Sequence, residues 1–141
     1  MPYMMSVAAM GVDAEANALA RLMDGGYLRI YGGRMPDTPE EPVGDRRMAV
    51  ELRLSSPAFG PASDGIVIAG DLAPGVAVAD VNPVTWARIT QADGQTAVVD
   101  ISVGTTDAVL RLPTANIPRG ATVSCSFFSL MVRRKSGQEV V

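Results

Sequence analysis

Histidine is missing from the sequence, and only one cysteine, Cys125, occurs among its 141 residues. Without histidine the chain cannot assemble a Ser-His-Asp triad, a Cys-His dyad or a histidine-ligated zinc site. A single cysteine rules out an internal disulfide and a cysteine-rich metal site. We therefore expect a non-enzymatic protein with no catalytic residues, no cofactor and no bound metal.

Lysine is almost missing as well, because Lys135 stands beside eleven arginines. The 12 basic residues face 15 acidic ones, which gives a net charge of −3. This balance argues against a protein that grips phosphate backbones, so we expect no nucleic acid partner. The arginine excess reflects either arginine-rich contact surfaces or a GC-rich coding sequence.

Long hydrophobic runs are also missing, since none approaches the ~20 residues that span a bilayer. Residues 1–5 lack the basic and continuously apolar regions of a secretory signal. We expect no membrane partner, and synthesis in a reducing bacterial cytoplasm where Cys125 stays a thiol.

An apolar stripe in the first 26 residues predicts one helix. Its members recur at spacings of four, three and four residues, namely Val12, Ala16, Leu19 and Met23. Asp13 is the predicted N-cap and Gly25-Gly26 the predicted stop, which gives about three turns. So short a helix is marginal alone in water, so its stripe packs either on its own domain, which we favour, or on another chain. Residues 1–26 form the predicted N-terminal arm and helix.

From Tyr27 onward the hydrophobic period changes to two, which is typical of half-buried strands. In the first strand Leu28 and Ile30 face one way, and Tyr27, Arg29 and Tyr31 face the other. The stretch from Gly32 to Asp45 is rich in proline and acidic residues, which predicts an exposed loop. That loop is either a solvated connector, which we favour, or an acidic recognition loop.

Later segments repeat the strand pattern between turn signals. Phe59 is the predicted buried anchor of a proline-rich corner, and Asp93-Gly94 predicts a tight hairpin. Six to eight short strands with turns every 8–12 residues or so indicate a mainly β fold. We predict an antiparallel sandwich or jelly-roll-like domain over residues 27–134, because parallel pairing requires helices that the pattern lacks, and a polar tail over 135–141.

Carboxylates are the remaining candidates for chemistry. Asp93 and Asp107 belong to predicted turns, and Asp80 and Asp100 would face each other only by an accident of register. A calcium site in the 32–45 loop is a weak possibility, because the acids there are interrupted by prolines and follow no EF-hand pattern. We predict neither an acid pair nor a calcium site.

Aromatic residues make up only 5% of the chain. A carbohydrate-binding face would need Tyr27, Tyr31 and Trp86 exposed together. Cover for a sheet edge, or contact with a neighbouring subunit, explains Tyr27 and Tyr31 as well.

A set of landmarks recurs in order along nearly the whole chain: Gly25-Gly26-Tyr27-Leu28-Arg29-Ile30-Tyr31, Pro57-Ala58-Phe59-Gly60, Trp86-Ala87-Arg88, Asp93-Gly94, Val103-Gly104-Thr105, and Ile117 with Gly120-Ala121-Thr122-Val123. Taken together, the chain resembles a family of small virion structural proteins of tailed bacteriophages. It departs from that family at Asn82-Pro83-Val84 and in its charged end after Val132.

The resemblance implies a capsid decoration, or cement, protein that lies on the capsid surface and stabilises the lattice of the major capsid protein. It implies a homo-oligomer, a dimer or trimer, whose repeated weak contacts add up on a symmetric shell. Alternatives are a neck, tail or head-fibre component, or a carbohydrate-binding surface module. The interface candidates are Met10, Val12, Leu19, Met23, Tyr27, Arg29, Tyr31, Arg133 and Arg134.

Overall fold

A computed structural model describes residues 9–125 and 128–132, and it is mostly β with one short N-terminal helix. The elements in chain order are α1 (Ala9–Leu22), β1 (Tyr27–Gly32), β2 (Met48–Arg53), β3 (Ile66–Ile68), β4 (Gly75–Val76), β5 (Val84–Thr90), β6 (Ala97–Gly104), β7 (Leu110–Arg111), β8 (Thr122–Val123) and β9 (Ser129–Met131).

The largest sheet has five strands in the order β2-β1-β5-β6-β7. The first three pairs in this order are antiparallel, as predicted. The last is parallel, with Val103 beside Leu110 and Gly104 beside Arg111, so the expectation of antiparallel pairing throughout is wrong there. A parallel pair forms without a helix because it is only two residues long and the chain curls back at once, with the Leu112 amide donating to the Gly104 carbonyl at 2.9 Å.

Two small antiparallel sheets accompany the large one. β3 pairs with β9, and β4 pairs with β8. The segment that contains β4 also runs along β2, because the Val78 amide donates to the Ala49 carbonyl at 2.8 Å and Arg53 forms a bridge with Ala73. The β2 edge of the large sheet is therefore covered by the chain itself.

The hairpin predicted at Asp93-Gly94 is confirmed between β5 and β6, and Gly94 has a φ of +72°. Its connection is longer than a tight turn, because Thr90 and Ala97 are the last paired residues. The carboxylate of Asp93 organises this loop by accepting the backbone amides of Gln95 and Thr96, each at 2.9 Å.

Helix α1 packs on its own chain, as favoured from the sequence. Ala16, Ala20 and Met23 are buried in the same core as Leu28 and Ile30 of β1. The helix already includes Ala9, so the prediction of Asp13 as N-cap is wrong. Asp13 instead lies inside the helix, and its carboxylate accepts the amide of Gly65 at 2.6 Å.

Helix α1 ends as the two glycines predict. Leu22 is its last residue, Gly25 has a φ of +65°, and the Gly26 amide donates to the Met23 carbonyl at 2.9 Å. With 14 residues the helix has about four turns, one more than predicted.

Candidate interface on the outer face of the sheet

The five-stranded sheet has an inner face toward the core and an outer face with polar and aromatic side chains. Leu28 and Ile30 point inward and are fully buried. Because successive side chains on a strand alternate, the intervening residues of β1 point outward. Directly paired residues share a face, so the outer face also carries Glu51 and Arg53 of β2, Trp86 and Arg88 of β5, and Asp100 and Ser102 of β6.

Trp86 lies at the centre of one end of this face and is fully buried. Its ring stacks on Tyr31, with centroids 4.5 Å apart and planes 16° from parallel. Its indole N–H donates to the Gly32 carbonyl at 3.1 Å. The guanidinium carbons of Arg46 and Arg88 lie 5.9 Å and 5.5 Å from its ring centroid, within the range of cation–π attraction.

Arg46 holds the predicted loop against this end of the sheet. It donates to the backbone carbonyls of Arg34 and Val43 at 2.6 Å and 3.1 Å, and to the Glu41 carboxylate at 3.0 Å. Asp37 is bound to the Arg34 guanidinium at 2.7 Å. Two acidic residues of the loop are therefore paired with arginines of the same loop.

Arg88 and Asp100 form a bidentate ion pair in the middle of the outer face. Nε and an outer nitrogen of the guanidinium donate to the two carboxylate oxygens at 2.8 Å and 3.0 Å. The side chains are only 9% and 4% exposed. The hydrogen bonds to Asp100 raise the pKa of Arg88, and burial raises the pKa of Tyr31.

At the other end of the outer face, Tyr27, Arg29 and Arg53 form an accessible cluster, which we call the arginine–tyrosine patch. The guanidinium carbons of Arg29 and Arg53 lie 5.3 Å and 4.5 Å from the Tyr27 ring centroid. Arg29 donates to the Glu51 carboxylate and to the Gly94 carbonyl, both at 2.7 Å. Arg53 donates to the Gly25 carbonyl at 2.8 Å. All three side chains of the patch are thus fixed in place by contacts within the chain.

The structure brings together only two of the predicted interface residues, Tyr27 and Arg29. Met23 and Tyr31 are corrections, because both are buried in the chain's own fold and a partner of the folded chain cannot reach them. Val12 and Leu19 are partly buried. The side chain of Met10, and Arg133 and Arg134, lie outside the described residues.

Arg53 is the patch residue that sequence reasoning missed. The signal was present, because Glu51 and Arg53 alternate with buried residues of β2 as Arg29 does in β1. Only the register of the two strands places Arg53 opposite Tyr27 and Glu51 opposite Arg29.

The carboxylates considered as an acid pair are used separately. Asp80 accepts the amide of Arg119 at 2.7 Å, and Asp100 binds Arg88. Among the described residues no group of three or more acidic or sulfur side chains could hold a metal ion. The exposed three-ring surface that a carbohydrate module requires is not formed, since Tyr31 and Trp86 are buried.

Comparison with known proteins finds no match for this chain among protein-family models, curated proteins or solved structures. The one helix in the described part of the chain is too short to cross a membrane.

Proposed function

We propose that the protein is a non-enzymatic structural component of a tailed-bacteriophage particle, a decoration protein that binds the lattice of the major capsid protein. The observation that carries this proposal is the arginine–tyrosine patch. It presents a ring between two guanidiniums on the widest and most regular element of the fold.

The chemistry of the patch suits a protein interface. Arginine and tyrosine are enriched among residues that dominate binding energies. Side chains that are held in place before binding lose less conformational entropy when the partner arrives. Because Glu51 balances only one of the two arginines, the patch has a net positive charge and favours an acidic partner surface.

The sequence landmarks of the resemblance support the same proposal, because they fall at points that shape the patch. Gly25 and Gly26 end the helix and lead into Tyr27, and the Gly25 carbonyl holds Arg53. The hairpin glycine, Gly94, holds Arg29 through its carbonyl. The motifs thus bear on the position of the patch as well as on the path of the chain.

We further propose that the body is an antiparallel sandwich of jelly-roll type in its general plan. The inner face of the large sheet and the small β3–β9 and β4–β8 sheets contribute to one hydrophobic cluster, which supports a layered arrangement. In the particle, a dimer or trimer would repeat the patch around a symmetry axis, so that modest contacts add up to firm attachment.

The experiment is a co-sedimentation assay of the protein with phage particles that lack it. We expect binding by the original chain, and weaker binding by Arg53→Ala and Tyr27→Ala. The matched control is Arg119→Ala, which removes an exposed arginine outside the patch and leaves binding unchanged. Equal binding by all three variants would contradict the role of the patch.

Copy number per particle tests the location. A decoration protein occurs in hundreds of copies on the shell, whereas a neck, tail or head-fibre component occurs in few. Quantitative gels of intact particles separate these possibilities. Deletion of residues 1–24 is unsuitable for the binding assay, because it removes Ala16, Ala20 and Met23 from the core.

A further inference from the structure

Strand β6 has one edge that is open along most of its length. It pairs with β5 on one side, and on the other side only Val103 and Gly104 pair with β7. Within the described part of the chain, the segment 97–102 has no backbone partner on that second edge. Open edges invite pairing with another strand, and proteins usually protect them with charge, proline or a bulge. Here the one charged residue, Asp100, is bound to Arg88.

The open edge borders a groove of about 780 Å³. Val99 and Ile101 of β6 line one side of this groove, and Leu130 and Met131 of β9 line the other. Met131 is 54% exposed. A groove bounded by two strands, with unpaired backbone along one of them, suits a single extended segment of peptide.

The described chain begins at one end of this groove. Val12 of α1 lies against Gly65, since a Cβ atom on that glycine would stand 2.9 Å from a Val12 methyl carbon and 2.3 Å from the Val132 carbonyl oxygen. Val132 lines the groove. Ala9 precedes Val12 by three residues, or about 4.5 Å along the helix axis. Residues 1–8 therefore join the helix close to the groove.

The sequence of these eight residues matches an edge strand. It has no charged side chain, and Tyr3, Met5 and Val7 alternate with Met4, Ser6 and Ala8. Its one proline, Pro2, stands at the start, where a strand tolerates it. Eight extended residues span about 26 Å, and six residues of β6 span about 20 Å, so the length suffices. By contrast, residues 133–141 begin with three basic residues, which suit an apolar groove poorly.

We propose that residues 1–8 of this chain pair as a strand with the open edge of β6 and fill the groove, with Tyr3, Met5 and Val7 facing inward. The inward residues then contact Val99 and Ile101, which face the core side of β6. The segment would tie helix α1 to the large sheet. This inference goes beyond the proposed function and does not depend on it.

Disulfide trapping in the full-length chain tests the pairing. Met5→Cys is combined with Val99→Cys or with Ile101→Cys, because cross-strand neighbours on one face bring their Cβ atoms within bridging distance. The control combines Met4→Cys with each partner, since Met4 faces away. We expect an intrachain disulfide in at least one Met5 variant and none in the Met4 variants, measured by intact mass and non-reducing gels.

Three results would overturn the proposal: no disulfide in any variant, equal trapping of Met4 and Met5, or disulfides between chains instead of within them. Hydrogen exchange provides a second readout that needs no new bond. We expect slow exchange of amides in 97–102 of the original chain, loss of that protection in Met5→Asp and its retention in Met4→Asp. Fast exchange in the original chain, or unchanged protection in Met5→Asp, would also overturn it.

Discussion

The Arg88–Asp100 pair offers a direct test of how the outer face is stabilised. Asp100→Ala removes the carboxylate and leaves the guanidinium of Arg88 beside the Trp86 ring, 5.5 Å from its centroid. Arg88 is only 7% exposed, so water replaces the lost partner poorly. The variant therefore leaves a buried charge without the oxygens that accept its hydrogen bonds.

The expected cost is large for a single substitution. Breaking a buried pair by removing one partner typically costs about 3–5 kcal/mol of unfolding free energy. A domain of this size has about 5–15 kcal/mol in total, so the loss is a considerable fraction of its stability. Replacing both partners with apolar residues, as in Arg88→Met with Asp100→Leu, removes the unpaired charge, and we expect this double variant to be more stable than Asp100→Ala.

Urea unfolding measures these differences, with Trp86 fluorescence as the probe because it is the one tryptophan of the chain. The control is Asp37→Ala, which breaks the Arg34–Asp37 pair, whose side chains are 77% and 74% exposed. That control should cost about 1 kcal/mol or less. If Asp100→Ala costs no more than Asp37→Ala, or if the double variant is as unstable as the sum of the single ones, the reasoning is wrong.

Two further predictions concern the helix end and the hairpin loop. Gly26→Ala should destabilise the protein strongly, because the new Cβ atom would stand 1.9 Å from the Thr90 carbonyl oxygen; thermal unfolding at neutral pH measures the loss. Asp93→Asn should change how melting temperature depends on pH, because hydrogen bonds from Thr96, first its hydroxyl and then its amide, lower the pKa of Asp93. A lowered pKa gives stability above the unfolded value of about 3.9 that is lost as pH falls through the folded value, so the advantage of the original chain should shrink in acid.

Each of these predictions has a matched comparison. Gly60→Ala serves for Gly26, because a Cβ atom at Gly60 would find its nearest contact at 4.0 Å; equal melting temperatures of the two variants would contradict the steric argument. For the pH profile, Asp107→Asn replaces an exposed turn aspartate to which no side-chain hydrogen bond is assigned in the described chain. Parallel pH profiles for the original chain and Asp93→Asn would refute a role for the Asp93 carboxylate charge.

Local patterns in the sequence predicted those features that depend on neighbouring residues. The alternation in β1 identified Leu28 and Ile30 as inward residues, and both are fully buried. Phe59 was predicted as a buried anchor, and it packs edge-to-face on Phe128 with ring centroids 5.6 Å apart. Asp93-Gly94 located the hairpin because a positive φ at glycine is a local requirement.

Burial of the outer face was beyond such patterns. Alternation assigns Tyr31 to the face opposite Leu28 but does not say what covers that face. The cover is Arg46, a residue from a loop whose proline and acidic content predicts only solvent exposure. Its position depends on hydrogen bonds to Arg34 and Glu41, and no spacing rule contains them.

The polar residues of helix α1 explain why this segment is part of the body and not a detachable arm. Asp13, Asn17 and Asp24 accept the backbone amides of Gly65, Ala62 and Ala58 at 2.6–2.8 Å. These amides belong to the stretch between β2 and β3, which forms no ladder of its own beyond single bridges. The helix therefore fixes that stretch with its polar side and fills the core with its apolar side. Since both sides are engaged, contacts with a partner fall to the arginine–tyrosine patch, which lies on the opposite face of the sheet from the core.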